Sequence, residues 1–471
     1  MPAQSTSRLR VAVVGGGIAG LAAARALLAS RPGLEVVVLE GGAQVGGKLR
    51  GGELAGRSVD LGAEAILNRR PEAVSLAREV GLGPALTHPV ASGAGIWSHG
   101  RLRPIPPSIL GIPGDPEAVA ATGLLSEAGM ARLRAEEALP PLRLAGDVAV
   151  GELVAERLGA EVRDRLVEPL LGGVYAGRAD RISLQAAVPA LAPAVREYGS
   201  LLAAARALLA ASAAPREPRP PVFAGLDGGV ARLAGATAED ISRRGGTVRC
   251  RATVRELARA GAGWRLTIGS AAHPETLDAD AVVLATPAAP TARLLREVAP
   301  AAAADLGGIG YAPVAVVSLA LRPTEPASLA GTGYLVPPVE QRVVKGVTFA
   351  SRKWGWLGGD LELLRCSVGR VGEEEALQRE DAELVAVALR ELREVTGIQA
   401  ELADSSVTRW GGALPQYGVG HVARVGRIRA AVAGLPGLAV CGAAYDGVGI
   451  PACIASAEEA AARVLAALAA G

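Results

Sequence analysis

An apolar segment, a glycine-rich turn and an alanine-rich segment follow one another at residues 10–28. The segment Arg10-Val-Ala-Val-Val14 has the β-branched composition of a buried parallel strand. It leads directly into the pattern G-x-G-x-x-G, formed by Gly15, Gly16, Gly17, Ile18, Ala19 and Gly20. Helix-favouring residues come next, and a second apolar run ends at Glu40. A strand, glycine turn, helix, second strand and acidic residue in this order predict a dinucleotide-binding βαβ unit.

Each part of this unit has a physical task. Gly15 permits a tight turn, Gly17 leaves room for a pyrophosphate, and Gly20 lets the helix lie close to the strand. The free N–H groups and the dipole at the start of the helix stabilise the phosphates. Glu40 is expected to accept hydrogen bonds from the adenosine ribose, and its charge would repel a 2′-phosphate.

Composition excludes several other classes of protein. The chain has 49 basic and 47 acidic residues, a net charge of +2, so we expect no nucleic-acid partner. Its four cysteines and four histidines show no ligand spacing, so neither a disulfide framework nor a metal site is expected. No uncharged segment reaches the roughly 20 residues that span a bilayer. We therefore expect a cytoplasmic protein.

A second glycine-rich turn lies just beyond Glu40, where Gly41 opens a segment that ends in Gly46-Gly47-Lys48. This arrangement resembles the extended fingerprint of the flavin-dependent amine oxidase superfamily and implies FAD as the cofactor. In that superfamily the glycine pair and the following cation lie against the FAD pyrophosphate. The turn at residues 62–65 occupies the place of the next flavin-contacting turn.

The fold class predicted from these patterns is α/β. A discontinuous Rossmann-type FAD domain of the two-dinucleotide-binding kind would carry an inserted α+β substrate domain and a helical subdomain. We expect the FAD domain at residues 1–86, 222–300 and 405–471, the helical and substrate region at 87–221, and the substrate sheet at 301–404. The proline-rich run at 215–221 is read as an exposed linker.

Three segments outside the nucleotide unit point to one family. They are Val167-Glu-Pro-Leu-Leu-Gly-Gly-Val-Tyr-Ala-Gly177, Trp410-Gly-Gly-Ala-Leu-Pro-Gln-Tyr-Gly-Val-Gly-His421 and Gly447-Val-Gly-Ile-Pro-Ala-Cys-Ile454. They resemble the oxygen-dependent porphyrinogen oxidases of haem biosynthesis, the bacterial coproporphyrinogen III and protoporphyrinogen oxidases. The resemblance covers nearly the whole chain.

The resemblance implies a set of site residues. Those expected to contact FAD are residues 15–20, Glu40, Gly41, Lys48, Gly62, Ala63, Glu64, Ala65, Val254, Trp410, Val448, Gly449 and Ile450. Arg70 is expected to pair with a substrate propionate at the cavity mouth, and Tyr417 is a second substrate candidate. Arg69, Arg101, Arg103, Arg178 and Lys345 are further cations that could meet a propionate. No catalytic acid–base residue is named, because flavin N5 carries the chemistry.

The reaction implied by the resemblance removes six electrons from a porphyrinogen, reduces oxygen and releases hydrogen peroxide. Coproporphyrinogen III, with four propionates, is the expected substrate. Protoporphyrinogen IX, with two propionates and two vinyl groups, is the alternative. The resemblance also suggests peripheral contact with the inner face of the cell membrane and transfer of the product to a ferrochelatase.

Two other classes remain open from the sequence. A flavin amine oxidase would need an aromatic cage near the flavin, and the chain has only five Trp, six Tyr and two Phe residues. A non-enzymatic binding protein on the same fold would not need the glycine-rich turn at 447–451. Flavin bound to the purified protein would favour the enzyme classes over the binding protein.

Overall fold

A parallel sheet of five strands forms the centre of the nucleotide-type domain. The computed structural model describes residues 8–213, 221–325 and 329–470. Across the sheet the strands are Thr247–Arg249, Glu35–Leu39, Arg10–Val14, Ala281–Leu284 and Leu438–Val440. They come from three separate stretches of the chain, which confirms the predicted discontinuous α/β domain.

Both faces of this sheet are covered, which explains why its strands are continuously apolar. One face packs against the helices Ile18–Ser30, Arg232–Arg243 and Ile450–Ala470. The other face packs against an antiparallel sheet, Val254–Ala260, Gly263–Gly269 and Pro274–Ala279, and the helices Ala288–Leu295, Pro300–Gly307 and His421–Ala433.

A mixed sheet of seven strands forms the centre of the second domain. Its order is Ala400–Pro415, Tyr311–Pro323, Glu362–Val368, Val344–Phe349, Gly333–Leu335, Gly95–Ser98 and Arg101–Pro104. One face of the sheet packs against the helix Asp381–Thr396. The boundary predicted at 404/405 falls inside Ala400–Pro415, which pairs with Tyr311–Pro323. This stretch therefore belongs to the second sheet as far as Pro415.

The helices of residues 116–213 pack around a separate apolar cluster. They are Pro116–Ala120, Glu127–Arg134, Val150–Arg157, Ala160–Val162, Glu168–Tyr175, Leu184–Ala187, Leu191–Tyr198 and Leu201–Ala213, with a π-helical turn at Arg163–Val167. The linker predicted at 215–221 falls, except for Pro221, outside the described residues.

Short elements complete the described fold. They are the paired strands Gly51–Leu54 with Arg57–Asp60 and Ser108–Ile109 with Ile112–Pro113, the strands Ile66–Leu67, Phe223–Leu226 and Leu86–Thr87, and the helices Glu72–Glu79 and Ala350–Lys353. In the described ranges 8–213, 221–325 and 329–470, no helix has the length and apolar character needed to cross a membrane.

The C-terminal helix has a proline in its first turn. It runs from Ile450 to Ala470, and Pro451 is its second residue. Proline is tolerated in a first helical turn, where its missing N–H would have no intrahelical partner, so Pro451 does not delay the start. The beginning of the helix therefore lies directly beside the glycine-rich turn at 447–449.

Candidate active site

A cavity of about 910 Å³ lies between the two sheets. Val14, Leu39 and Ala285 line it at the carboxyl ends of the parallel strands. Val316 and Ser367 line it from the seven-stranded sheet. Open α/β sheets bind ligands at the carboxyl ends of their strands, so the cavity occupies the expected place for a nucleotide.

The first glycine turn forms one wall of the cavity, and its geometry leaves space for a ligand. Gly15 has φ +108°, a conformation that favours glycine. A Cβ atom built on Gly17 would meet no protein atom within 4 Å. Gly17 precedes the helix Ile18–Ser30, whose start has neither a side-chain cap nor an acidic residue in its first turn. The N–H groups of this turn are therefore available to an anionic ligand.

Glu40 connects the glycine turn to the second strand. Its Oε2 accepts a hydrogen bond from Gly16 N–H at 2.7 Å, and its Oε1 accepts one from Gly42 N–H at 2.6 Å. Each carboxylate oxygen can accept a further hydrogen bond. Because Glu40 also lines the cavity, its carboxylate can hold the loop and receive a ribose hydroxyl.

The second glycine turn and the 62–65 turn pack beside the first. Gly46 N–H donates to Gly16 O at 2.8 Å, and Ala63 N–H donates to Lys48 O at 3.0 Å. The Lys48 ammonium lies 5.6 Å from the centre of the Tyr311 ring, and burial lowers the pKa of Lys48. A partly desolvated cation near two glycine turns suits a diphosphate.

Glu64 anchors the 62–65 turn to the second domain through two buried ion pairs. Its Oε1 lies 2.5 Å from Lys353 Nζ, and its Oε2 lies 2.6 Å from Arg365 Nη1. Burial raises the pKa of Glu64, but the charges of Lys353 and Arg365 outweigh it and bring that pKa to about 2. The carboxylate is therefore ionised at neutral pH.

The C-terminal turn faces the cavity through Val448 and Ile450. Tyr417 fixes the loop in front of it, since its hydroxyl donates to Ala443 O at 2.6 Å and accepts from Gly447 N–H at 2.9 Å. His421 stacks on the Tyr417 ring with 3.9 Å between ring centres.

The structure brings together most of the predicted FAD residues around one cavity. Those that line it are Gly15, Gly17, Ile18, Ala19, Glu40, Gly41, Lys48, Gly62, Ala63, Glu64, Ala65, Val254, Trp410, Val448 and Ile450. Gly16, Gly20 and Gly449 do not line it. A Cβ on Gly20 would lie 1.8 Å from Gly15 O, so Gly20 allows the helix to approach the turn rather than contacting a ligand.

The two predicted substrate residues are not among the residues that line the cavity. Tyr417 is 1% exposed, and its hydroxyl is engaged by the backbone of the 443–447 loop, so it is a positioning residue. Arg70 forms an ion pair with Glu72 at 2.6 Å and is 42% exposed. Its guanidinium has a carboxylate partner at the surface, and its role at the cavity mouth stays a prediction.

Several lining residues were not named as site residues from the sequence, among them Thr286, Arg293, Tyr311 and Tyr334. Thr286 follows the strand Ala281–Leu284, and its position after an apolar strand is a signal that could have found it. Tyr311 and Tyr334 lie in strands, and the sequence does not show which face of the sheet their side chains occupy.

Residues 18–465 match the family of flavin containing amine oxidoreductases, and the chain belongs to this family. Its cofactor is FAD, which fits the open space at Gly17 and the free helix start beside it.

Two relatives and one solved structure are similar to the chain over nearly its whole length. The chain is 40% identical over 453 residues to the coproporphyrinogen III oxidase of Mycobacterium leprae, covering 95% of this chain and 96% of that protein. It is 30% identical over 494 residues to the protoporphyrinogen oxidase of Bos taurus, covering 97% and 98%. A solved structure from Exiguobacterium sp. 255-15 superposes with a TM-score of 0.85 at 30% identity, covering 98% of this chain and 99% of that one. The predicted resemblance to porphyrinogen oxidases is confirmed.

Proposed function

We propose that this protein oxidises coproporphyrinogen III to coproporphyrin III, with oxygen as the electron acceptor and hydrogen peroxide as the second product. The observation that carries the proposal is that one continuous cavity joins the FAD turns to the wall of the second sheet. The greater identity to a coproporphyrinogen III oxidase than to a protoporphyrinogen oxidase, both over nearly the full length, supports the substrate.

The chain's own residues would bind and orient the reactants. The turn at 15–19 and Lys48 would hold the pyrophosphate, Glu40 the ribose, and the backbone of Val254 the adenine edge. The 62–65 turn, Trp410 and the start of the C-terminal helix would hold the isoalloxazine ring. FAD, when bound, supplies two-electron oxidation. The protein contributes position and exclusion of water.

The cavity does not favour a cationic amine as substrate. Glu64 lines it, but two cations neutralise this carboxylate. Lys345 lines the same cavity and is buried, and its amine, when protonated, would repel an ammonium group and attract a carboxylate. A substrate that carries propionates agrees with this charge pattern.

Anaerobic mixing of the yellow holoenzyme with each porphyrinogen, followed by aeration, tests the function. We expect coproporphyrinogen III to bleach the flavin absorbance, and air to yield coproporphyrin III with three molecules of hydrogen peroxide per macrocycle. Faster bleaching by protoporphyrinogen IX would favour the alternative substrate. Bleaching by primary or secondary amines alone would support an amine oxidase, and purified protein without flavin would support a binding protein.

A second prediction concerns Glu40. Replacing Glu40 by Ala removes a charged acceptor for the ribose, so the dissociation constant of FAD should rise roughly 10- to 100-fold. Titration of apoprotein with FAD, followed by flavin fluorescence, measures this. Glu35→Ala is the matched control, because Glu35 opens the strand that ends just before Glu40 and pairs with Arg10 instead. Equal affinities in both variants would show that Glu40 does not bind the cofactor.

A further inference from the structure

Lys345 is a buried lysine in the wall of the cavity. The residue is 9% exposed and lines the cavity. Among residues 8–213, 221–325 and 329–470, it makes neither a side-chain hydrogen bond nor a salt bridge. Buried charges are normally paired, because an isolated ion loses its hydration when it is buried. A lysine side chain kept in this state needs an explanation.

A β-bulge directs Lys345 to the cavity. The pairing of Val344–Phe349 with Glu362–Val368 shifts register between Val344 and Gly346, so Lys345 is the extra residue. Val344, Val347 and Phe349 belong to the core beneath the helix Asp381–Thr396. Regular alternation would place Lys345 on the same face as Val347. The bulge instead gives that face to Val344 and turns Lys345 to the other side.

The nearest charges do not neutralise Lys345. Burial, together with the charge of Arg370, lowers the pKa of Lys345 to about 7, and Glu373 offsets this only in part. Glu373 is itself bound by Arg370 at 3.2 Å and by Arg178 at 3.3 Å. Two guanidinium groups thus share Glu373, and Arg178 also lies 4.0 Å from Glu168, so three basic side chains meet two carboxyl groups. The local surplus of positive charge favours an incoming anion.

We propose that Lys345 binds a carboxylate of the substrate inside the cavity and selects for a porphyrinogen that carries a carboxylate on every pyrrole ring. The proposal rests on the proposed function. Coproporphyrinogen III presents a propionate on each of its four rings, so any of the four rings can bring one to Lys345. Protoporphyrinogen IX bears vinyl groups in place of propionates on two rings, so only its other two rings can bring a propionate to Lys345.

Lys345→Met is the decisive variant, since methionine keeps the unbranched shape and removes the charge. The dissociation constant of coproporphyrin III, measured by fluorescence without turnover, should rise on the order of 10- to 100-fold. KM for coproporphyrinogen III should rise similarly. The preference for coproporphyrinogen III over protoporphyrinogen IX, as the ratio of kcat/KM values, should fall. Arg390→Met is the control, because it removes one positive charge from an exposed position on the helix Asp381–Thr396.

A stability readout separates binding from structure. Removing an unpaired buried cation should raise the melting temperature of Lys345→Met, whereas a merely structural lysine would lower it. If Lys345→Met does not fold, Lys345→Gln tests the same affinity, and Lys345→Arg should restore much of it. Unchanged affinity and KM in the neutral variants, with coproporphyrinogen III still oxidised, would overturn this proposal alone. A wild-type holoenzyme that oxidises neither porphyrinogen would overturn the proposed function as well.

Discussion

The variant Gly17→Val is expected to fold and to lose FAD. A Cβ at this position meets no protein atom within 4 Å, and the backbone φ of −71° is open to any residue. The branched side chain would instead fill the space next to the free start of the helix, where the pyrophosphate would bind. We expect the dissociation constant of FAD to rise by about 100-fold or more, since the loss combines a steric clash with lost hydrogen bonds to a charged group.

Two glycine controls make this test specific. Gly235→Val lies at an exposed helical position with no protein atom within 4 Å of the new Cβ, and it should keep its flavin. Gly20→Val should misfold, because its Cβ would lie 1.8 Å from Gly15 O. Absorbance of the purified proteins near the flavin bands, with circular dichroism for folding, distinguishes the three cases. A well-folded Gly17→Val protein with full flavin occupancy would show that the pyrophosphate does not bind at this turn.

The elements that carry the nucleotide unit could be predicted because their signals are local. A strand ending at Val14, a glycine turn and a helix beginning at Ile18 lie within one short stretch. The predicted boundary at 404/405 falls inside the strand Ala400–Pro415, because this strand contains Asp404 and the pair Gly411-Gly412, which are unfavourable for strands. Its partner strand, Tyr311–Pro323, is distant in sequence, so only tertiary pairing stabilises it.

The site was predicted less completely than the fold for a similar reason. A turn that follows a strand can be recognised in the sequence as a candidate binding site. The direction of a side chain on a strand, in contrast, depends on the pairing register. Lys345 would face the core by simple alternation, and a bulge that leaves no mark in the sequence reverses it. Tyr417 lies in a family motif, yet its role could not be assigned until its two backbone partners were known.

The variant Glu64→Ala should be strongly destabilised, because it leaves two cations without their partner inside the protein. The side chains of Glu64, Lys353 and Arg365 are 16%, 13% and 13% exposed. Removing one partner of a buried ion pair typically lowers the free energy of unfolding by about 3–5 kcal/mol. Urea denaturation of the apoprotein measures this without interference from cofactor binding. Asp278→Ala is the control, since its ion pair with Arg265 is exposed and should contribute little.

The same network predicts how stability depends on pH. The pKa of Glu64 is about 2 in the folded protein, against an ordinary value of 4.5. A carboxyl whose pKa is depressed by folding stabilises the protein above its unfolded pKa and loses that contribution as the pH falls. Glutamine does not titrate, so the difference in unfolding free energy between wild type and Glu64→Gln should narrow between about pH 4.5 and pH 2. A constant difference across this range would show that the ion pairs do not stabilise the fold.

Replacing all three charges distinguishes an ion-pair role from a packing role. The triple variant Glu64→Leu, Lys353→Met and Arg365→Met leaves no buried charge unpaired, and apolar side chains of similar size often stabilise such a site as well as the ions do. We therefore expect it to be more stable than Glu64→Ala. Arg365 Nη2 also donates to Gly62 O at 2.5 Å, so the triple variant frees the 62–65 turn. Recovered stability with weakened FAD binding would mean that the charges position this turn for the cofactor, and unrecovered stability would contradict the ion-pair account.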